Sequence, residues 1–306
     1  MSKKPRRMTR KDFLKKSGAG LAGIIAGDAL GANPFRLLGR NGTPLQTRVL
    51  GRSGIRATAL GFGAARTMEP SLLRAARDRG INFIDTGRTY FNGNNERMIG
   101  KVLEGVRKDV ILQSKMFVRP PEGDYSPGAF TALRREMESN LEASLKALRT
   151  DYIDIMLVHE ATDVRVLMNE TVMEFFSEAK RNGRIRAHGF SCHNGLELLR
   201  AANESRFYDI IMAPYNHKGA YVHSLSGKSN AWDQARVEKE LEAAAKNGLG
   251  VVVMKTCSGG PYAPAGTERP SFRGAVRWVL DHPFIGVAIV AMSNLDEMEE
   301  DLEAGL

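Results

Sequence analysis

Four side chains in this sequence could do chemistry together: the carboxylate of Asp85, the phenol of Tyr90, the ammonium of Lys115 and the imidazole of His159. Three of them end apolar runs. Phe83-Ile84 leads into Asp85, with Tyr90 five positions on; Val110 to Ser114 ends at Lys115; Tyr152 to Val158 ends at His159. A charge at the end of a buried strand is costly unless paired, so the carboxylate and the ammonium call for each other. A nearby cation favours a phenolate, and this predicts that Lys115 lowers the Tyr90 pKa from about 10. His159 can hydrogen-bond a carbonyl oxygen and orient it. The sequence shows no Ser or Cys nucleophile with an obvious base, so proton donation to a carbonyl is the natural use. Reduction also needs a hydride, which implies a nicotinamide cofactor, NADP(H) or NAD(H), and a small carbonyl or sugar-like substrate.

The elements that must position these groups alternate. Strands are predicted at Ala59–Gly63, Asn82–Thr86, Val110–Lys115, Tyr152–His159, Ile185–Ser191, Ile210–Asn216, Gly250–Thr256 and Gly286–Met292. Helical patterns separate or follow them at Pro70–Arg79, Asn95–Glu104, Pro127–Leu148, Val166–Asn182, Leu196–Glu204, Asp233–Asn247, Phe272–Asp281 and Leu295–Ala304. Several stop at a glycine (Gly80, Gly105, Gly183, Gly248), as a left-handed cap requires. Eight apolar strands of one type, each followed by a helix, predict a closed (β/α)8 TIM barrel. A doubly wound open sheet is the alternative, but Gly61-Phe62-Gly63-Ala64-Ala65 lacks the third glycine of its fingerprint. Residues 47–58 read as a β-hairpin turning at Arg52-Ser53-Gly54 and capping the barrel bottom. In such a barrel the chemistry lies at the C-terminal ends of the strands.

The bulk numbers fit one catalytic domain, 47–306, behind a leader, 1–36. The formal charge of +9 is concentrated at the start, where residues 1–32 carry eight Lys/Arg against two Asp. The body is only mildly basic, which argues against nucleic acid as a partner. The basic start, the weakly apolar run Ser17–Gly27 and the small residues Ala29, Gly31 and Ala32 describe an export signal cleaved near Gly31 or Ala32. Thr9-Arg10-Lys11-Asp12-Phe13-Leu14-Lys15 resembles the twin-arginine motif, with Lys11 as the second basic residue. A periplasmic or otherwise extracytoplasmic protein is expected, exported by that machinery; a basic tail on a cytoplasmic protein is the alternative. Two cysteines, Cys192 and Cys257, exclude a disulfide framework.

Residues 47–304 resemble the aldo/keto reductases, a barrel family that reduces carbonyls with NADPH. Phe83-Ile84-Asp85-Thr86, Tyr90, Asn95-Glu96 and Gly100 are similar to the family's first signature. Lys115 and His159 fall where its catalytic tetrad does. His188-Gly189-Phe190-Ser191, Pro214-Tyr215-Asn216 and Met292-Ser293-Asn294-Leu295-Asp296-Glu297 are similar to further family segments. The resemblance implies that Ser191, Cys192 and Met212 stand where a Ser-Asn pair and a Gln hold the nicotinamide amide, with Tyr215 alongside. Met254 stands at the stacking aromatic, in a Met254-Lys255 pair like that of a bacterial branch. Gly259 and Gly260, with Ser293 and Asn294 at the last helix, are expected to offer free N–H groups to the cofactor phosphates. Glu297 falls, with Ser293, where the 2′-phosphate of NADPH is held; a carboxylate there repels phosphate and accepts from a ribose hydroxyl, so NAD(H) stands beside NADP(H). The chain stops at Leu306, where the family often continues into a covering loop, so an open pocket, or one completed by a partner chain, is expected.

Two rival readings come from the same residues. His159, Cys192, His193, His217 and Cys257 would share the rim and could bind a transition metal. Alternatively, the barrel is a binding module that senses a dinucleotide or a partner without turnover.

Overall fold

The computed structural model describes residues 44–305 apart from 122, 194, 223–226, 264–265 and 267–268. The leader expected at 1–36 lies outside the described residues. The chain opens with a hairpin, β1 (Thr47–Val49) and β2 (Arg56–Thr58), paired in the register Arg48↔Ala57. The barrel strands follow: β3 (Leu60–Gly63), β4 (Phe83–Asp85), β5 (Ile111–Met116), β6 (Ile153–Val158), β7 (Ile185–Ser191), β8 (Ile210–Pro214), β11 (Gly250–Met254) and β12 (Val287–Ala291). They pair in parallel in that order, and β12 closes onto β3. The helices lie between or after them: α1 (Pro70–Asp78), α2 (Asn94–Val102), α3 (Pro127–Leu148), α4 (Val164–Leu167), α5 (Glu170–Arg181), α6 (Leu196–Ser205), α7 (Gln234–Lys246), α8 (Phe272–Leu280) and α9 (Leu295–Ala304). The structure is a (β/α)8 barrel, as the alternation predicts.

The barrel is filled, not hollow. Phe83, Ile155, Leu157, Ala187, Ile210, Met212, Val252, Val287 and Ile289 pack inside, and Leu50, Ile55 and Ala57 of the hairpin plug the bottom. Neighbouring positions such as Ile84, Leu112, Met156 and Phe190 turn outward into the layer beneath the helices. This two-residue alternation decides which side chains can reach the mouth.

Two elements depart from the sequence expectation. The helix expected over Val166–Asn182 is two pieces, because Asn169 leaves the helix and its side chain accepts from Thr171 N–H at 3.0 Å, starting α5 afresh. The loop after β8 contains an unexpected antiparallel pair, β9 (Ala220–Val222) with β10 (Ser229–Ala231). Three-residue strands carry too little alternation to be read from sequence. Among the described residues, no helix is long and apolar enough to cross a membrane.

Candidate active site

Asp85 faces inward because Phe83, two residues before it, does, while Ile84 faces out. Gln113 and Lys115 of β5 share that inward parity, and Asp85 pairs in register with Gln113. Lys115 Nζ donates to Asp85 Oδ1 at 2.7 Å, to the Thr86 carbonyl at 2.5 Å and to Tyr90 Oη at 3.3 Å. Asp85 and Lys115 are 3% and 1% exposed, so their pairing takes place almost out of water. His159 follows the last residue of β6; its ring lies 5.7 Å from that of Tyr90, edge-on, and stacks on Phe117 at 4.8 Å. The four expected catalytic side chains converge at one end of the barrel.

Their electrostatics explain the convergence. Burial works to discharge Lys115, but Asp85 and then Tyr90 outweigh it and the ammonium pKa rises. Tyr90 departs from expectation. Burial raises its pKa more than Lys115 lowers it, so the resting phenol is held protonated. The cation is placed to stabilise a phenolate as it forms, not to ionise the resting group. Burial first, and then Lys115, push His159 down to about 3, so its ring is neutral at ordinary pH. Its Nδ1 is buried without a partner among the described residues.

Several supporting residues carry no obvious signal when read singly. Gln113 Nε2 donates to the same Asp85 oxygen at 2.7 Å and fixes the carboxylate from below. Only parity could have found it: it is the polar residue two positions before Lys115. Behind the strands, Asn95 accepts from Thr86 Oγ1 at 2.7 Å and donates to the carbonyls of Ala64 and Thr67. Glu96, fully buried, accepts from Arg88 at 2.5 Å and Ser114 at 2.7 Å. Together with Arg88 N–H on the Lys115 carbonyl at 2.8 Å, these contacts hold the loop that carries Tyr90.

The expected cofactor residues divide. Met212 lies inside the barrel with Sδ 3.5 Å from Gln113 Nε2, and Met254 ends β11 partly exposed over the interior cluster. Ser191 is buried, accepts from Glu160 N–H at 3.0 Å and donates to the Val158 carbonyl at 3.3 Å. Cys192 and Tyr215 have the opposite parity. The Cys192 thiol faces Gly195 and Leu198 beneath α6, and burial pushes it up to about 12. The Tyr215 ring stacks on Trp278 at 5.3 Å and touches His282 and Phe284. Neither side chain points into the mouth, which corrects the expectation that they contact a cofactor there.

The free N–H groups expected at the glycine loop and the last helix are largely taken. Ser258 N–H bonds to the Lys255 carbonyl and Gly260 N–H to that of Cys257. Ser293 N–H donates to Glu297 Oε2 at 2.8 Å while Asn294 Oδ1 accepts from Glu297 N–H at 2.9 Å. Glu297 thus forms a capping box with its own helix, and its carboxylate occupies the N-terminus. What remains for an anion is Lys218, whose Nζ lies 3.6 Å from where a Cβ on Gly260 (φ 82°) would stand, and Lys255. This donor set, a partly exposed methionine and two lysines beside a glycine turn, suits a dinucleotide. Among the described residues, no three His, Cys, Asp or Glu converge to hold a metal. The metal reading therefore has no ligand set there.

The aldo/keto reductase family profile matches residues 63–274, more than half of the chain. The chain belongs to the aldo/keto reductase family. L-galactose dehydrogenase of Arabidopsis thaliana is 29% identical over 304 residues, covering 86% of this reductase-family chain and 88% of that protein. A "probable voltage-gated potassium channel subunit beta" of Oryza sativa subsp. japonica is 33% identical over 139 residues, covering 42% of this chain and 41% of its own length. The chain spans about half the length of the first curated relatives it matches. Among solved structures, an aldo-keto reductase of Bacillus halodurans in its holo form superposes with a TM-score of 0.67 at 25% identity, covering 85% of this chain and 90% of that one.

Proposed function

We propose that this aldo/keto reductase reduces an aldehyde or ketone with NAD(P)H, Tyr90 donating the proton. The observation that carries this reading is Lys115 Nζ, 2.7 Å from Asp85 and 3.3 Å from the Tyr90 hydroxyl. A carbonyl placed between Tyr90 and His159 meets a neutral imidazole that can orient it and a phenol that can protonate it. As the proton leaves Tyr90, the negative charge grows beside Lys115, where low dielectric makes the attraction strong. Asp85, itself held by Gln113, keeps the lysine charged throughout the cycle. A bound dinucleotide supplies the hydride, and Met254, Lys255, Lys218 and the Gly259-Gly260 turn are the residues that would hold it. Glu297 disfavours a 2′-phosphate near the last helix, which puts NAD(H) on an equal footing with NADP(H).

The Tyr90→Phe variant tests the acid. It is expected to lower carbonyl reduction at least about 100-fold while dinucleotide affinity, read by fluorescence titration, stays near wild type. Undiminished turnover would remove Tyr90 from the role. The channel-subunit relative favours a second reading, a dinucleotide-binding module without turnover; the complete tetrad favours the enzyme.

The leader belongs to the same proposal. Residues 1–36 direct export by a twin-arginine-type route, with the cofactor bound before translocation and retained afterwards. A reporter active only outside the cytoplasm, fused behind residues 1–36, is expected to report export that is lost on Arg10→Ala with Lys11→Ala. A reporter that stays cytoplasmic, or export indifferent to both changes, contradicts it.

A further inference from the structure

The mouth of the barrel holds a second polar cluster that the tetrad does not use. Its centre is Glu160, immediately after His159. Its backbone is left-handed (φ 48°), a conformation that costs a β-carbon-bearing residue about 1–3 kcal/mol and persists only when the surroundings enforce it. They do. Glu160 N–H donates to Ser191 Oγ at 3.0 Å, and Arg119 Nη2 reaches the Glu160 carbonyl at 3.4 Å and Oε2 at 3.1 Å. His193 Nε2 lies 3.6 Å from Glu160 Oε1, while its Nδ1 meets the Tyr221 hydroxyl at 2.9 Å. With Tyr221 donating to Nδ1, the His193 proton sits on Nε2 and faces the carboxylate. The contact with His193 is the first cause that holds the Glu160 carboxyl at about 2, well below the usual carboxylate range, so it is an anion.

This wall is continuous with the tetrad. The His159 ring stacks on Phe117, and the Arg119 guanidinium lies over that Phe117 ring, 4.3 Å from its centroid, before reaching Glu160. Glu160 and Arg119 also line a cavity of about 240 Å³ with Tyr125, Asp163, Val166 and Leu167. Its lining mixes apolar residues such as Val118, Val166 and Leu167 with the polar Arg119, Glu160 and Asp163, and none of the tetrad residues lines it. The charges there are paired, Arg119 with Glu160 and Arg165 with Asp163, so the cavity offers hydrogen bonds without a large net charge. The side chain of Glu160 remains 37% exposed, leaving acceptor capacity for a ligand.

We propose that Glu160 selects the substrate: with Arg119 beside it, its carboxylate accepts from hydroxyl groups on the carbons next to the carbonyl, favouring neutral polyhydroxy aldehydes over plain aliphatic ones. The inference rests on the reductase reading above. His193 is a positioning residue, holding the carboxylate toward the mouth. A site built to hydrogen-bond a substrate hydroxyl discriminates against the analogue that lacks it, because the site's own group is then left unpaired.

The test compares kcat/KM for erythrose and for butanal, aldehydes of equal carbon count. The wild type is expected to prefer erythrose by more than tenfold. Glu160→Gln removes the anionic acceptor, and Glu160→Gly removes the side chain at a backbone angle that glycine takes without strain. Both are expected to collapse the erythrose-to-butanal ratio by about 10- to 100-fold. His193→Phe is expected to raise KM for erythrose, with the loss appearing in KM and not in kcat. A wild type without preference, or a ratio unmoved in both Glu160 variants, overturns the assignment of Glu160 while leaving the reductase reading intact. Failure of the wild type to oxidise reduced dinucleotide with any aldehyde removes both.

Discussion

At the scale of single residues, the proposed chemistry turns on Lys115. It stays charged in a place where burial opposes charge, because Asp85 lies 2.7 Å away. Removing it alone strands the Asp85 carboxylate, so Lys115→Met is expected to cost about 3–5 kcal/mol in urea unfolding and to abolish reduction. Neutralising both partners in Asp85→Asn with Lys115→Met should restore most of the stability and none of the activity. A double variant as unstable as the single one would mean that the pair is not what the barrel end depends on. The pH dependence follows from the same geometry. His159 is held neutral, down to about 3, by burial and by Lys115, with Glu160 opposing and His193 and Arg119 adding to the shift. Tyr90 keeps its proton beyond the ordinary phenol range. Reduction is therefore expected to show no His159 inflection near about 6.5 between pH 5 and 9, while alcohol oxidation, which needs the phenolate, should rise with pH. An inflection that disappears in His159→Gln would contradict this.

At the scale of elements, the period of the strand separates what could be read from what could not. Each barrel strand is apolar enough to be found, and the last residues of β4, β5 and β6 point to their catalytic side chains or the positions beside them. Parity then fixes direction. Gln113 is two residues before Lys115 and faces in; Cys192 is one residue after the inward Ser191 and faces out, and Tyr215 is three after the inward Met212. Position-by-position likeness to a family misses this because it places residues along the strand, not around it. Other features were illegible because they are too small. The β9–β10 pair is three residues a side, too short to carry a pattern, and the break before α5 is marked by a single side-chain bond of Asn169. Packing between β7 and β8 also leaves no slack: a Cβ on Gly189 would stand 1.9 Å from the Ile210 carbonyl oxygen. Gly189→Ala is expected to lose at least about 3 kcal/mol, visible as a lower unfolding midpoint or as insoluble protein. A midpoint equal to wild type would mean that the two strands can part more easily than this packing implies.

At the scale of the whole molecule, one barrel supplies two differently built regions around one mouth. The β4 to β6 side carries the proposed proton chemistry in a buried, hydrogen-bonded cluster. The β8, β11 and β12 side offers Lys218, Lys255 and a glycine turn, and it spends its own helix N-terminus on Glu297. On the proposed reading, the substrate and the reactive end of a dinucleotide meet beside Tyr90, His159 and Met254. The measurement that tests this most directly follows the hydride itself. NADH and NADPH deuterated at the reactive carbon of the nicotinamide are each mixed with the protein and an aldehyde, and the alcohol is weighed by mass spectrometry. The account expects one deuterium on the former carbonyl carbon, and its loss along with the product in Tyr90→Phe. Alcohol without deuterium, or no alcohol from either cofactor, would contradict it.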